Sequence, residues 1–561
     1  MTQILIVGAD PELLGLLAEE LGPDHRLTSR SAAEELLSEN AGPGVFDAML
    51  YFPSLQGGER PDLVEASKVL TARRRHPLAK VVAVSSAAVY GASHHNTGLV
   101  PETRATPRSS TNRILCAWID FEELVHEKTG GEPRIALTIL RPAAMPRKGG
   151  PDYLSRLMSS RLAPTLAGHD PSIQILAPRD LAAAIAPALL GTTTGCVNVV
   201  PTGVIPLHAA LRLAGAIRIP IPWELQWLGR KLLAPLGLAA SIDQLEFIRY
   251  SWTASAEKAR RELGFTASKS SGEALASLRA SLGRPESTRS QAIAATKFDD
   301  FGLNPDYIAW CGRWQFRFMS RVYWRIEVDG IENLPREGGA VLVGLHRGFM
   351  PFDATMTLDL ILKKTGRIAR FLIHPTLVKF PFLTDFMTRL GGIIACMENA
   401  DWVLDRGEIL GVYPEGIRGA FTPYKRIYKL GKFGRDEFVR MALSHKVPII
   451  PFVTVGAAEI FPILGRIDWP WWKRYSEWPY FPITPTFPFL PVPLPTKWHV
   501  QFLPPMHVEM EHGPEAVNDL AAVQKISAET RRQMDAALQD MLRRRPSIFY
   551  GRIFEKAQKS R

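Results

Sequence analysis

Val341–Asp353 reads V-L-V-G-L-H-R-G-F-M-P-F-D, and Gly411–Gly419 reads G-V-Y-P-E-G-I-R-G. Each stretch opens on an apolar, β-branched run and ends in a polar, glycine-containing turn. That pattern predicts a buried strand that delivers side chains to a site at its carboxyl end. The first strand releases His346, Arg347 and Asp353; the second releases Glu415, Gly416 and Arg418. A histidine with a nearby carboxylate is a base with an orienting partner. A glycine-flanked glutamate and arginine suit a phosphate-bearing substrate. Strands that end in functional turns and alternate with helices predict an α/β fold.

These residues resemble the lysophospholipid acyltransferase superfamily. Its first motif is H-x-x-x-x-D, and its third is a P-E-G block followed by basic residues. Here residues 347–352 separate His346 from Asp353, as in the H-x-x-x-x-P-F-D form of the mono- and diacylglycerol acyltransferase branch. V-P-I-I-P-F at Val447–Phe452 stands where the family has its fourth block. The likeness runs from Pro305 to Arg545. The second block, G-G-I-I-A-C-M-E-N-A (Gly391–Ala400), departs from the pattern: Met397 stands near the place of the family's arginine.

The resemblance implies that His346 is the base and Asp353 its orienting acid, and that no serine or cysteine nucleophile is needed. Glu415, Gly416, Arg418 and Arg347 would form the substrate-binding set, with Arg418 and Arg347 on a phosphate and Glu415 ordering the motif loop and its arginine rather than performing a second acid-base step. Amides near Gly348 or Gly416 would form the oxyanion hole. The donor would be acyl-CoA or acyl carrier protein. The acceptor would be a glycerolipid such as lysophosphatidate or a neutral mono- or diacylglycerol, which places the chain in lipid metabolism and phospholipid biosynthesis.

A length of 561 residues exceeds one core, so at least two domains are expected. Hydrophobic content of 46% and charged content of 22% are globular. A net charge of +11 favours anionic partners. No nucleic-acid module accompanies it, so an anionic membrane surface and coenzyme phosphates are the expected partners, with no nucleic acid. Cys116, Cys196, Cys311 and Cys396 are widely spaced, which gives neither a metal site nor a disulfide framework and suits a reducing cytoplasm. The start, M-T-Q-I-L-I-V-G, is not signal-like. No long uninterrupted apolar run predicts a transmembrane span, so peripheral membrane association is expected.

The N-terminal half alternates strand-like runs (Gln3–Val7, Val45–Tyr51, Val81–Ser85, Ala136–Leu140, Cys196–Val200) with helical ones (Pro11–Leu21, Leu63–Arg74, Ile114–Glu127, Asp180–Leu190). This predicts a doubly wound, Rossmann-like parallel sheet. V-S-S-A-A-V-Y-G (Val84–Gly91), L-R-P (Leu140–Pro142), Pro178–Ala184 and R-E-L-G-F (Arg261–Phe265) resemble the NAD-dependent epimerase/dehydratase type of extended short-chain dehydrogenase/reductase. The cofactor turn is damaged: Gly8 is kept as a cofactor-binding residue, but Asp10-Pro11-Glu12 fill the middle of Gly8–Gly15. The expected Tyr-x-x-x-Lys pair is missing from Ser110–Leu115, and Arg30 follows the second strand. NAD(P) binding is therefore a doubtful expectation, and the domain reads as catalytically degenerate.

The expected divisions are 1–283, a linker at 284–300, an acyltransferase domain at 301–548 and a basic tail at 549–561. Trp223–Ala240 reads as a core helix of the first domain, with a membrane-facing or inter-domain contact as its alternative. Tyr307–Arg325 reads as one helix, with Arg313, Arg317 and Arg321 beside Trp310, Trp314 and Phe318, suited to lie in a bilayer interface or else packed on its own domain with exposed arginines. In Asp468–Trp498, Pro479, Pro482, Pro485, Pro488 and Pro491 suggest polyproline II, as an ordered strap over the core or as a lid or membrane-dipping element beside the acyl-chain channel. The reading is an O-acyltransferase acting at a membrane surface. Its alternatives are an NAD(P)-dependent epimerase or reductase and a non-catalytic lipid-binding scaffold.

Overall fold

The computed structural model describes residues 2–30, 46–73, 78–104, 111–129, 134–285, 298–348, 350–487 and 492–554. The chain divides into two compact units. One comprises Met1–Gly302 with Pro381–Asp385; the other comprises Leu303–Phe380 with Phe386–Arg561.

The first unit is built on β1 (Thr2–Val7), β2 (His25–Arg30), β3 (Ala48–Tyr51), β4 (Lys80–Val84), β5 (Ala136–Pro142) and β6 (Gly195–Val199). They form one six-stranded parallel sheet in the order β6-β5-β4-β3-β1-β2. Ile4–Val7 and Ala48–Tyr51 are buried throughout, as expected for strands covered on both faces. Helices α1 (Pro11–Leu21), α2 (Leu63–Ala72), α3 (Arg113–Thr129) and α4 (Pro178–Leu190) supply that cover. In α1, Leu13, Leu17 and Leu21 recur at the spacing of one buried helix face. The sheet is the doubly wound, Rossmann-like arrangement expected from the alternation of runs.

Trp223–Ala240 corrects an expectation. It is not one core helix. It forms α5 (Gln226–Leu233) between two short 3₁₀ turns, with Leu225, Trp227, Leu228 and Leu232 exposed. Composition alone does not distinguish an apolar stretch packed inward from one turned to solvent.

The second unit begins with α6 (Pro305–Arg313), which breaks at Trp314 into a four-residue turn (Gln315–Phe318) and a π-helical turn (Met319–Tyr323). The expected single helix is thus a broken one. Its sheet comprises β7 (Glu327–Asp329), β8 (Ala340–Val343), β9 (Ala369–Ile373), β10 (Ile393–Ile394), β11 (Ile409–Val412), β12 (Ile449–Val455) and β15 (His499–Phe502), in the order β7-β15-β12-β8-β11-β9-β10. Only β12 and β15 pair antiparallel. The central strands β8, β11 and β12 are buried along their whole length. Helices α7 (Phe352–Thr365), α8 (Met397–Asp405), α9 (Gly416–Ala420) and α10 (Glu437–Ser444) lie between strands, and α12 (Leu520–Arg544) closes the unit.

The proline-rich segment is also corrected. Residues 465–483 form a hairpin, β13 (Gly465–Ile467) against β14 (Phe481–Ile483), carrying α11 (Pro470–Ser476) at its tip, while the described residues after it, 484–487 and 492–498, are irregular. Pro482 sits inside β14, paired with Arg466. Pro488 and Pro491 lie outside the described residues, as do most of the expected linker and the end of the basic tail.

His499 on β15 is fully buried, and burial pulls its imidazole down to about 4, against the raising effect of Glu327. Lys497 and Arg545 add to the depression. Its folded-state value lies below the unfolded one, so the stability it favours is present above pH 6.5 and is lost as pH falls towards 4. The loss is about 2 kcal/mol by pH 5. Denaturant unfolding at pH 7 and pH 5 should show a smaller acid loss in His499→Phe than in the wild type. Equal losses in both proteins would remove His499 as the source.

Candidate active site

The register of the second sheet builds the site. Val343 of β8 pairs with Val412 of β11 in parallel. His346 and Glu415 each follow three residues beyond those partners, so the two motif loops emerge side by side from the carboxyl edge. Two glycines make room beneath them. A Cβ on Gly411 would stand 2.4 Å from the Phe371 ring, and one on Gly344 would stand 2.3 Å from Phe452 and 2.8 Å from Tyr413.

His346 and Asp353 come together. His346 Nδ1 lies 2.7 Å from Asp353 Oδ2. The same carboxylate accepts the Arg347 amide at 3.2 Å and, through Oδ1, the Ala354 amide at 2.8 Å. Asp353 lies in the first turn of α7 and is 1% exposed, whereas the imidazole is 18% exposed. A carboxylate only accepts, so the contact places the proton on Nδ1 and leaves Nε2 bare. This is the arrangement a base needs: held from behind and open in front.

Arg347 and Glu415 meet each other beneath the site. Arg347 Nη1 and Nη2 reach the two Glu415 carboxylate oxygens at 2.5 and 3.0 Å. The guanidinium also donates to the carbonyls of Ile427 (2.8 Å), His346 (3.1 Å) and Lys429 (3.4 Å). Glu415 further accepts the Gly431 amide at 2.9 Å. Both side chains are buried, at 3% and 7% exposure. The donors of Arg347 are engaged by the protein, and Glu415 orders its loop by holding this arginine and the Gly431 amide. The pair binds the His346 loop to the P-E-G loop and to the basic segment beyond it.

Arg418 differs. It lies on α9, is exposed, and makes no ion pair among the described residues. Gly416 is exposed with φ +56°, and its amide donates to the Tyr413 carbonyl at 2.9 Å, which closes the turn. Of the two glycine amides expected at an oxyanion hole, that of Gly348 remains without a hydrogen bond among the described residues. Gly348 has φ +92°, a conformation glycine adopts at no steric cost. Met397, at the place of the second-block arginine, opens α8 with Cys396 as its cap.

Sequence reasoning missed Tyr413 and Phe352. The Tyr413 ring lies 5.0 Å from the His346 ring and stacks on Phe371 at 5.6 Å. Its hydroxyl is buried with no hydrogen-bond partner among the described residues, and burial together with the Asp353 charge holds the phenol far above its usual range. Phe352 packs edge-on against Trp324 at 5.4 Å and stacks with Phe461 at 6.2 Å. Both aromatics stand inside the quoted motifs, and their position beside His346 and Asp353 was the available signal.

In the first unit Gly8 has φ +80°, and a Cβ there would stand 2.2 Å from the Phe52 carbonyl oxygen. Packing of β3 against β1 therefore requires this glycine. Asp10 caps α1 by accepting the Leu13 amide at 2.9 Å, and it pairs with Arg147 at 2.9 Å. Asn112 caps α3 and donates to Glu246. Ser86 accepts the Ala88 amide. Arg30 ends β2 beside Gly8. Asp10 and Asn112 thus serve as helix caps, and Ser110–Leu115 holds neither tyrosine nor lysine.

The family model described as Acyltransferase matches residues 325–455, which contain both motif loops. An uncharacterized protein of Mycobacterium leprae is 34% identical over 260 residues, spanning 45% of this chain and 70% of its own length. The chain belongs to the acyltransferase family. A Bos taurus relative, named "DGAT1/2-independent enzyme synthesizing storage lipids", is 30% identical over 181 residues, 32% of this chain and 52% of its own. Among solved structures, UDP-glucuronic acid 4-epimerase from Bacillus cereus is 14% identical with a TM-score of 0.38, covering 50% of this chain and 99% of that one.

The buried pair of this acyltransferase and its exposed arginine should respond differently to substitution. Glu415→Gln strands the Arg347 charge and should cost about 3–5 kcal/mol of stability. Arg418→Ala should stay within about 0.5 kcal/mol of the wild type. Denaturant unfolding of the two variants checks both values, and a neutral Glu415→Gln would show that the pair does not hold the loops.

Proposed function

We propose that the C-terminal unit moves a fatty acyl group from a thioester donor, acyl-CoA or acyl carrier protein, to a hydroxyl of a glycerolipid-type acceptor. The observation that carries this reading is the 2.7 Å contact from His346 Nδ1 to buried Asp353. It leaves Nε2 as an available base at the carboxyl edge of β8.

In the proposed step Nε2 takes the acceptor's hydroxyl proton as that oxygen attacks the thioester carbonyl. The C–O bond forms and a tetrahedral oxyanion develops, facing the Gly348 amide. The C–S bond then breaks, and the imidazolium returns its proton to the leaving thiolate. Asp353 stabilises the imidazolium while it exists. Acyl group and proton balance with no enzyme-bound acyl intermediate, so the mechanism is a ternary complex. Arg418 is free to bind a phosphate of the coenzyme or of the acceptor. The name of the bovine relative supports a lipid acceptor, and neutral glycerides stand beside lysophosphatidate as candidates. The N-terminal unit, whose cofactor turn is filled by Asp10, is proposed to serve a role other than redox catalysis.

The test is transfer from labelled long-chain acyl-CoA, with acyl carrier protein donors in parallel, to lysophosphatidate, glycerol 3-phosphate, monoacylglycerol and diacylglycerol. His346→Ala should lower the rate on the true acceptor by about 10²–10⁴-fold. Asp353→Asn should fall in the same range because it disturbs the tautomer. Full activity in His346→Ala would eliminate the proposed base.

A further inference from the structure

We propose that the C-terminal unit docks on an anionic phospholipid bilayer through two exposed aromatic and basic elements, each rooted in one of the motif loops. The proposal deepens the acyl-transfer reading by naming the surface that presents the acceptor. Vesicle binding is measured without turnover, so the two readings fail separately.

The first element is the broken helix of residues 305–323. Ile308, Cys311 and Phe316 face the core. Trp310, Trp314, Phe318 and Val322 are 50, 71, 52 and 59% exposed. Arg313, Arg317 and Arg321 are exposed between them. The helix leads into Trp324, which stacks on Trp498 at 4.4 Å and packs against Phe352, the neighbour of Asp353.

The second element is the hairpin β13–β14 with α11 at its tip. Trp469, Trp471 and Tyr475 are exposed there, with the Trp471 and Tyr475 rings stacked at 5.8 Å. Leu464, Ile467 and Ile483 extend the apolar surface, and Arg466 and Arg474 are exposed beside it. The base of the hairpin is tied to the P-E-G loop: Trp478 packs on Phe421 at 5.0 Å, and the Tyr480 hydroxyl donates to the Phe421 carbonyl. Phe421 caps α9, the helix that carries Arg418.

Exposed apolar clusters of this kind mark an interaction surface. Their chemistry selects the partner. Indole and phenol rings are apolar bodies with polar tips, which suit the depth of lipid headgroups. Arginines interleaved with them fit headgroup phosphates, and each adds about 1 kcal/mol near an anionic surface. The net charge of +11 has the same sign requirement.

The experiment is sedimentation of the full chain with vesicles of phosphatidylcholine alone and of phosphatidylcholine with phosphatidylglycerol. The wild type should bind the anionic vesicles in a salt-sensitive way, and His346→Ala should bind equally. Arg313→Glu/Arg317→Glu/Arg321→Glu and, separately, Trp469→Ser/Trp471→Ser should each weaken binding at least tenfold. Quenching of wild-type tryptophan emission by brominated lipids should be strong, a readout that needs no variant to fold. Failure of the wild type to bind anionic vesicles, equal binding to neutral vesicles, or unchanged binding in folded variants would each overturn the proposal. So would self-association without vesicle binding.

Discussion

The site depends on one buried ion pair. Arg347 and Glu415 sit on loops from neighbouring strands, and neither loop has regular structure to hold it. Two parallel hydrogen bonds between them fix distance and orientation together, which a single contact does not. Desolvating both charges is costly, and the cost is offset only where the remaining donors are satisfied. Here they are: three carbonyls take further Arg347 donors, and the Gly431 amide takes a Glu415 oxygen. The pair is specific because its geometry is complete. It also explains why arginine and not lysine follows His346, since an ammonium does not span two carboxylate oxygens and three carbonyls.

The pair works on a prepared floor. Side by side strands bring His346 and Glu415 to one edge, but aromatic rings must pass beneath them. Gly344 and Gly411 lie where a methyl group would collide with Phe452, Tyr413 and Phe371. Those rings fill the space under the imidazole, so its orientation is set by packing on one face and by Asp353 on one edge. The polar contact selects the tautomer; the apolar contacts limit the rotation.

The ends of buried strands and the His–Asp pairing were legible because they rest on local pattern: apolar β-branched runs, a turn, and two residues one loop apart. The partner of Arg347 was not legible. Its ion pair joins residues 347 and 415, and nothing in either motif states that the arginine points inward. Exposure was legible unevenly. In Tyr307–Arg325 the arginines at helical spacing beside Trp310, Trp314 and Phe318 marked an outward face, and those rings are exposed, whereas Trp223–Ala240 carries no such charged row, and there composition did not say which surface its tryptophans meet. Proline spacing misled for a related reason, because Pro482 is tolerated in a short two-stranded hairpin where its missing amide costs little.

Gly8 shows how one residue can satisfy two readings. A glycine at the end of the first strand of a doubly wound sheet suggests a cofactor turn, and in this chain it stands at that position. The Phe52 carbonyl, 2.2 Å from where its Cβ would be, accounts for it without any ligand. Asp10, two residues beyond Gly8, accepts the Leu13 amide and pairs with Arg147. A sheet needs its close approaches whether or not a cofactor is bound, so a glycine at this place is no evidence of cofactor chemistry by itself. Asp10 and Asn112, by contrast, are helix caps, and capping is a local duty that the packing of the sheet does not impose.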